Sequence, residues 1–147
     1  MNVLYADTSA LIRAYLPDEP DHAALRAQIL NRSTVTITSE LARVEIASAA
    51  TAAQRSGRIR SAARLLARMD ATFAADGPIT LIRLTSATIL PRACRIVLDH
   101  HVRTLDAIHL AVAAHDGAAI AADADLIFLT CDAAQATATR ALGMTVA

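Results

Sequence analysis

A chain of 147 residues, 54% of them apolar, has room for one hydrophobic core, so a single domain spanning residues 1–147 is expected. Its 14 acidic residues offset 14 basic ones, and the resulting zero net charge withholds the basic excess usual in nucleic-acid binders. Every basic residue is arginine, and the absence of lysine excludes a Walker-type phosphate loop, a Schiff-base enzyme and a phosphoreceiver domain. No apolar run approaches the roughly 18 residues of a membrane helix, and the first residues already lead into a strand, so a cytoplasmic protein with no removed leader is expected. Cys94 and Cys131 match no zinc or redox spacing and are expected to be reduced and structural.

In chain order, residues 2–6 (NVLYA) form an apolar β-prone run that ends at Asp7-Thr8-Ser9, residue types that stop strands and cap helices, before the periodic ALIRAYL. Pro17 and Pro20 punctuate a turn, and Asp21 then opens a helix to about Leu30 with Ala24, Leu25 and Ile29 inward. A second strand is expected over 34–38, followed by a helix from Ser39 whose apolar side is Leu41, Val44, Ile46 and Ala47 and whose stop is Gly57. The next helix runs to about Ala75, with Ile59, Ala62, Ala63, Leu66 and Met69 inward, until Gly77-Pro78 introduces a strand over 79–84. Helices over 86–98 and 105–115 follow, the latter capped by Thr104 and ended by Gly117. The chain closes with a strand over 126–130, a helix opened near Asp132 and a short strand over 144–146. Strands alternating with helices predict an α/β fold: a three-layer sandwich whose central, mostly parallel sheet of four to five strands is flanked by helices.

In such a sheet, ligands bind beyond the carboxyl ends of the strands, where strand order reverses. Asp7 and Asp132 follow strands and emerge at that edge. Glu45 and Asp106 lie in the first turns of helices, which begin at the same edge when they follow strands. Singly, Asp7 and Asp132 suit helix caps and Asp106 suits a helix dipole. Glu45 is different, because its flanks are apolar and capping does not account for it. Converging carboxylates repel unless a proton or cation neutralises them, and oxygen-only ligands suit magnesium or manganese. Such an ion generates hydroxide from water and stabilises charge on a phosphoryl group.

The segments YADTSALIRAYLPDEPDH, SELARVEIASA, VRTLDAIHLA and LTCDAAQATATRALGMTV, in this order and spacing, resemble the PIN-domain nucleases, and within them the VapC-type toxins of bacterial toxin–antitoxin pairs. The resemblance implies a metal-dependent endoribonuclease that hydrolyses RNA phosphodiester bonds. It makes Asp7, Glu45, Asp106 and Asp132 the acids that hold Mg2+ or Mn2+, with Ser9 and Thr130 as hydroxyls orienting carboxylates or water. A turn or capping role suits Ser9 equally well. It also implies RNA as substrate, a small antitoxin as partner and a homodimer. Around Asp132 the pattern departs from its relatives: Ala133, Ala134 and Gln135 follow where a basic or bulkier residue is common. Asp123 and Asp125 are alternatives that precede the fourth strand and should lie at the opposite end of the sheet.

Arg60, Arg64 and Arg68 form a stripe that suits a solvated helix face or RNA phosphates. Arg13 and Arg103 flank site acids and suit either RNA or an ion pair. His100, His101 and His109 match no zinc spacing, and a hydrogen bond between His109 and Asp106 is expected three residues apart on one helix. Four aromatics make no base-stacking platform. A phosphatase with an aspartyl nucleophile would need an acid two residues after Asp7, where Ser9 stands, and a lysine. A non-catalytic PIN-like protein acting through RNA or protein binding is the alternative function.

Overall fold

The structure, a computed structural model, describes residues 1–147. Strands β1 (Val3–Ala6), β2 (Val35–Ser39), β3 (Ile79–Ile82), β4 (Leu126–Leu129) and β5 (Thr145–Val146) form one sheet in the order β3-β2-β1-β4-β5. All four pairings are parallel, and Tyr5 of β1 lies opposite Ile37 on one side and Phe128 on the other. The expected parallel α/β sandwich is therefore present, with five strands. The chain moves from β1 outward through β2 and β3, then returns to the other side of β1 for β4 and β5. This makes the carboxyl end of β1 the place where strand order reverses.

Eight α-helices flank the sheet: α1 (Thr8–Tyr15), α2 (His22–Ile29), α3 (Leu41–Arg55), α4 (Ala62–Thr72), α5 (Ser86–His100), α6 (Thr104–Val112), α7 (Ala118–Ala121) and α8 (Ala133–Ala141). Side chains alternate across a strand, so β1 feeds two cores. Leu4 and Ala6 pack with α1 through α4, whereas Val3 and Tyr5 pack with α5 through α8. Both faces being covered explains why β1 is buried at every residue.

Local chemistry sets the element ends. Asp7 caps α1 by accepting from the Ala10 N–H, a contribution of about 1 kcal/mol for such caps. Gly57 stops α3 as expected: at φ +76 it takes the left-handed conformation, and the Arg58 N–H turns back to donate to the Ala53 carbonyl. Gly117 does not end its helix, because a π-helical turn over Ala113–Gly117 carries α6 into α7. Thr104 is the first residue of α6, and Arg103 holds the cap position without a side-chain bond. Asp21 likewise makes no side-chain cap. Ala24 is exposed, as is Val44 at 69%; the buried side of α3 is Ala42, Ile46, Ala50 and Ala53. On α4 the inward residues are Leu65, Met69 and Thr72. No helix is long and apolar enough to cross a membrane.

Candidate active site

Asp7, Glu45, Asp106 and Asp132, drawn from across the chain, line one cavity of about 170 Å³ beyond the carboxyl end of β1. Asp7 follows β1 and Asp132 follows β4, two paired neighbours, so their proximity is a direct consequence of the sheet. Glu45 arrives on α3, which starts immediately after β2. Asp106 arrives differently from the expected strand-then-helix route. α6 follows α5, and Asp106 sits at the start of the helical crossover that leads down to β4.

The inner part of the cavity is built from buried, neutral donors. Asp7 is 1% exposed. Its Oδ1 accepts from the Ser9 hydroxyl at 2.7 Å and the Ala10 N–H at 3.0 Å, and its Oδ2 accepts from the Thr130 hydroxyl at 2.6 Å. Ser9 and Thr130 thus touch Asp7 directly. Ser9 also accepts from the Cys131 N–H at 2.8 Å and Thr130 from the Asp132 N–H at 3.1 Å, which ties α1 to the loop after β4. Burial dominates at Asp7 and pushes its carboxyl above the usual range despite the donors of Thr130, Ala10 and Ser9.

Glu45 has a second kind of support. Its Oε1 accepts from the Thr8 hydroxyl at 2.8 Å and pairs with His109 Nε2 at 2.6 Å. Burial raises the Glu45 carboxyl, but the His109 contact, the Thr8 bond and the Arg103 charge outweigh it and hold the group below its ordinary range. His109 is turned toward Tyr5, Thr8 and Glu45. The expected bond to Asp106 is not made, because His109 points from α6 into the sheet. Sequence reasoning missed this role. The available signal was a polar residue inside the continuous apolar run AIHLAV.

The outer rim is charged and wetter. The Asp106 and Asp132 side chains are 18% and 31% exposed, and Arg103, at 80%, reaches both. Its Nε donates to Asp106 Oδ2 at 3.0 Å, and its Nη2 lies 3.5 Å from Asp132 Oδ2. Asp132 also caps α8 by accepting from the Gln135 N–H at 2.8 Å. The bland capping role and a place in the cavity therefore coexist in one side chain, since each uses a different oxygen.

The donor chemistry is that of a hard divalent cation: carboxylate oxygens from four segments on one wall-lined space. As the side chains stand, however, no group of three or more His, Cys, Asp and Glu residues is arranged to hold an ion. The four acids thus line one cavity without forming a ready-made ligand group, and Arg103 bridges the outer two.

Other candidates lie elsewhere. Asp125 sits at the amino edge of the sheet, where its carbonyl accepts from the Val3 N–H at 2.9 Å, and Asp123 precedes it. Arg13 lies 4.0 Å from Asp21. His101 ends α5 in the left-handed conformation. Arg60, Arg64 and Arg68 line a separate cavity between the end of α1 and α4, where Arg58 is paired with Asp18 and Glu19. Cys94 and Cys131 are both free thiols.

A parallel sheet whose reversal point carries an acid-lined cavity defines a class of α/β proteins acting beyond the strand ends. A family model for the PIN domain matches residues 4–136, and the chain belongs to that family. Among solved structures it is similar to VapC20 of Mycobacterium tuberculosis, described as a sarcin-ricin loop cleaving toxin. That likeness has a TM-score of 0.67 at 17% identity and covers 92% of this chain and 94% of that one. It is also similar to VapBC2 from Rickettsia felis bound to a DNA fragment from its promoter. Here the TM-score is 0.64 at 8% identity, covering 99% of this chain and 97% of that one. At these identities the likeness is one of fold. No curated protein matches the chain in sequence.

Proposed function

We propose that this protein is a metal-dependent endoribonuclease, the toxin half of a VapBC-type pair, acting in the cytoplasm as a single PIN domain. The observation that carries this reading is the meeting of Asp7, Glu45, Asp106 and Asp132 around one cavity at the reversal point of a PIN fold. The likeness to an RNA-cleaving toxin and to a toxin–antitoxin complex supports it.

In this reading, Asp7, Glu45, Asp106 and Asp132 hold Mg2+ or Mn2+. When bound, the ion supplies Lewis acidity toward a phosphoryl oxygen and makes water a competent nucleophile at neutral pH. Ser9 and Thr130 orient Asp7 through the bonds described above. Ile12 is the only apolar residue of the cavity wall, so the site receives a polar backbone rather than a base. RNA is then held through its phosphates and shape.

A guanidinium fits between Asp106 and Asp132, as Arg103 demonstrates. A basic side chain on the tail of a small antitoxin would use the same chemistry to neutralise the acids and block the metal. The exposed Leu90, Val97 and Leu98 of α5 border an apolar groove of about 520 Å³, which supports a homodimer.

The lack of a ready-made ligand group favours one competitor, a PIN-like protein that binds without cutting. Purified protein incubated with structured RNA, with and without Mg2+ or Mn2+ and beside Asp7→Asn, separates the two. Metal-dependent cleavage by the wild type alone is expected. Equally intact RNA under every condition overturns the nuclease reading, and equal cutting by both proteins identifies a contaminant.

A further inference from the structure

We infer that His109 is a positioning residue for the proposed site: with Thr8 it pins one oxygen of Glu45, leaving the other as the oxygen presented to the cation. The inference rests on the nuclease reading above and adds to it a residue outside the acidic set.

His109 is 1% exposed and sits in a helix segment, Ala107–Val112, whose every residue is buried. An imidazole there costs more than an aliphatic side chain of similar size unless both nitrogens are satisfied. Both are. The Tyr5 hydroxyl lies 2.8 Å from Nδ1, and Nε2 lies 2.6 Å from Glu45 Oε1 and 3.1 Å from Thr8 Oγ1. A phenol keeps its proton at neutral pH, so the fully buried Tyr5 hydroxyl donates to Nδ1. The hydrogen-bond network thereby assigns the remaining proton to Nε2, which donates to Glu45.

Tyr5 is itself fully buried. Its ring stacks on Phe128 at 5.1 Å between centroids and meets the His109 ring edge-on at 6.0 Å. The rigid centre of the sheet is thus connected through one imidazole to a carboxylate on α3. Glu45 Oε1 receives both donors, whereas Oε2 has no partner in the protein and is not buried. A glutamate has three rotatable bonds, and fixing one oxygen from two directions removes most of the freedom of the other. A merely space-filling histidine would not need to span Tyr5 and Glu45 with both nitrogens.

The test uses full-length protein and Mn2+ alone, followed by calorimetry or electron paramagnetic resonance, alongside cleavage kinetics. His109→Leu is expected to weaken Mn2+ binding about tenfold, within the range for outer-shell partners of metal ligands. It should lower kcat while leaving KM for RNA near the wild-type value. His109→Gln retains an amide donor toward Glu45 and should recover most of the loss. Tyr5→Phe, which keeps the stacking on Phe128 but removes the donor to Nδ1, should also weaken Mn2+ binding and serves if His109→Leu does not fold. Wild-type Mn2+ affinity and kcat in His109→Leu or Tyr5→Phe overturn the inference, as does equal impairment of His109→Leu and His109→Gln. Asp106→Asn separates the two levels. If it abolishes Mn2+ binding while His109→Leu matches wild type, only the inference fails; if wild type itself neither binds Mn2+ nor cuts, the nuclease reading fails with it.

Discussion

The inner and outer halves of the acid-lined cavity are held by opposite means. Asp7 and Glu45 are surrounded by hydroxyls, a backbone N–H and an imidazole, whereas Asp106 and Asp132 share one exposed guanidinium. Neutral donors fix the position of a carboxylate without cancelling its charge. An arginine cancels charge but, at 80% exposure, is free to swing away at little cost. The inner pair is therefore a preorganised platform and the outer pair an adjustable rim, a division that fits the proposed site, which would admit a cation and a phosphate.

The largest expected effect tests the platform. Asp7→Asn should lower cleavage by at least about 100-fold, since outer-shell partners alone are worth up to about that much. The same change should stabilise the metal-free protein. Asparagine keeps an oxygen for Ser9 and Ala10, turns an NH2 donor toward the Thr130 hydroxyl, which must then accept, and removes a charge that burial disfavours, so a net gain of up to about 1 kcal/mol, or roughly 2–4 °C in Tm, is expected. The sign follows from linkage: the Asp7 carboxyl is raised in the folded state, so its ionised form destabilises at neutral pH. That destabilisation disappears as pH falls through the folded value toward the unfolded value of about 3.9. Thermal melts in EDTA should therefore show the advantage of Asp7→Asn at pH 7 shrinking on acidification; a constant advantage contradicts the proposed cause.

Thr130→Val is next. It removes a donor to Asp7 and the acceptor of the Asp132 N–H, so a loss of about 1–3 kcal/mol is expected by denaturant unfolding. Cleavage should fall roughly tenfold. An unchanged unfolding midpoint would mean that the platform does not depend on this hydroxyl.

Arg103→Ala tests the rim and should behave otherwise. Stability should change by less than about 1 kcal/mol, as for other exposed ion pairs. Mn2+ binding should tighten, because a competitor for Asp106 and Asp132 is gone, and the gain should shrink at high salt. Weaker Mn2+ binding would show instead that Arg103 orders the two acids for the ion.

The smallest effect calibrates an exposed ion pair outside the cavity. Asp18 is held below its ordinary range chiefly by its hydrogen bond to Arg58. Its contribution is full above the unfolded value of about 3.9 and is lost as pH falls through the lower folded value. The small Tm difference between wild type and Arg58→Gln should accordingly narrow in strong acid, and a difference that widens there would reverse the assignment.

Much of this molecule is legible without coordinates because its local chemistry is consistent. Asp7-Thr8-Ser9 after an apolar run, Gly57 after a periodic one and Gly77-Pro78 before another are backbone signals that act over a few residues. The meeting of Asp7, Glu45 and Asp132 is legible too, because parallel strands deliver their carboxyl ends to one edge; Asp106 is not, since α6 follows a helix. Which face a helix turns inward is less local: Val44 is exposed and Ile46 buried on α3, since the α1 and α4 packing, not composition, selects the stripe.

The amino-acid sequence by itself determined the sheet-and-helix alternation and the ends of most elements, which follow from short-range propensity, and it brought Asp7, Glu45 and Asp132 to one edge through strand polarity. Tertiary structure alone decided how those acids are held. Tyr5, Thr8, Glu45 and His109 lie up to 104 positions apart, and Arg103 meets Asp132 only because β4 returns beside β1. Hydrogen bonds of that kind depend on ångström-scale placement of whole elements, which periodicity does not encode.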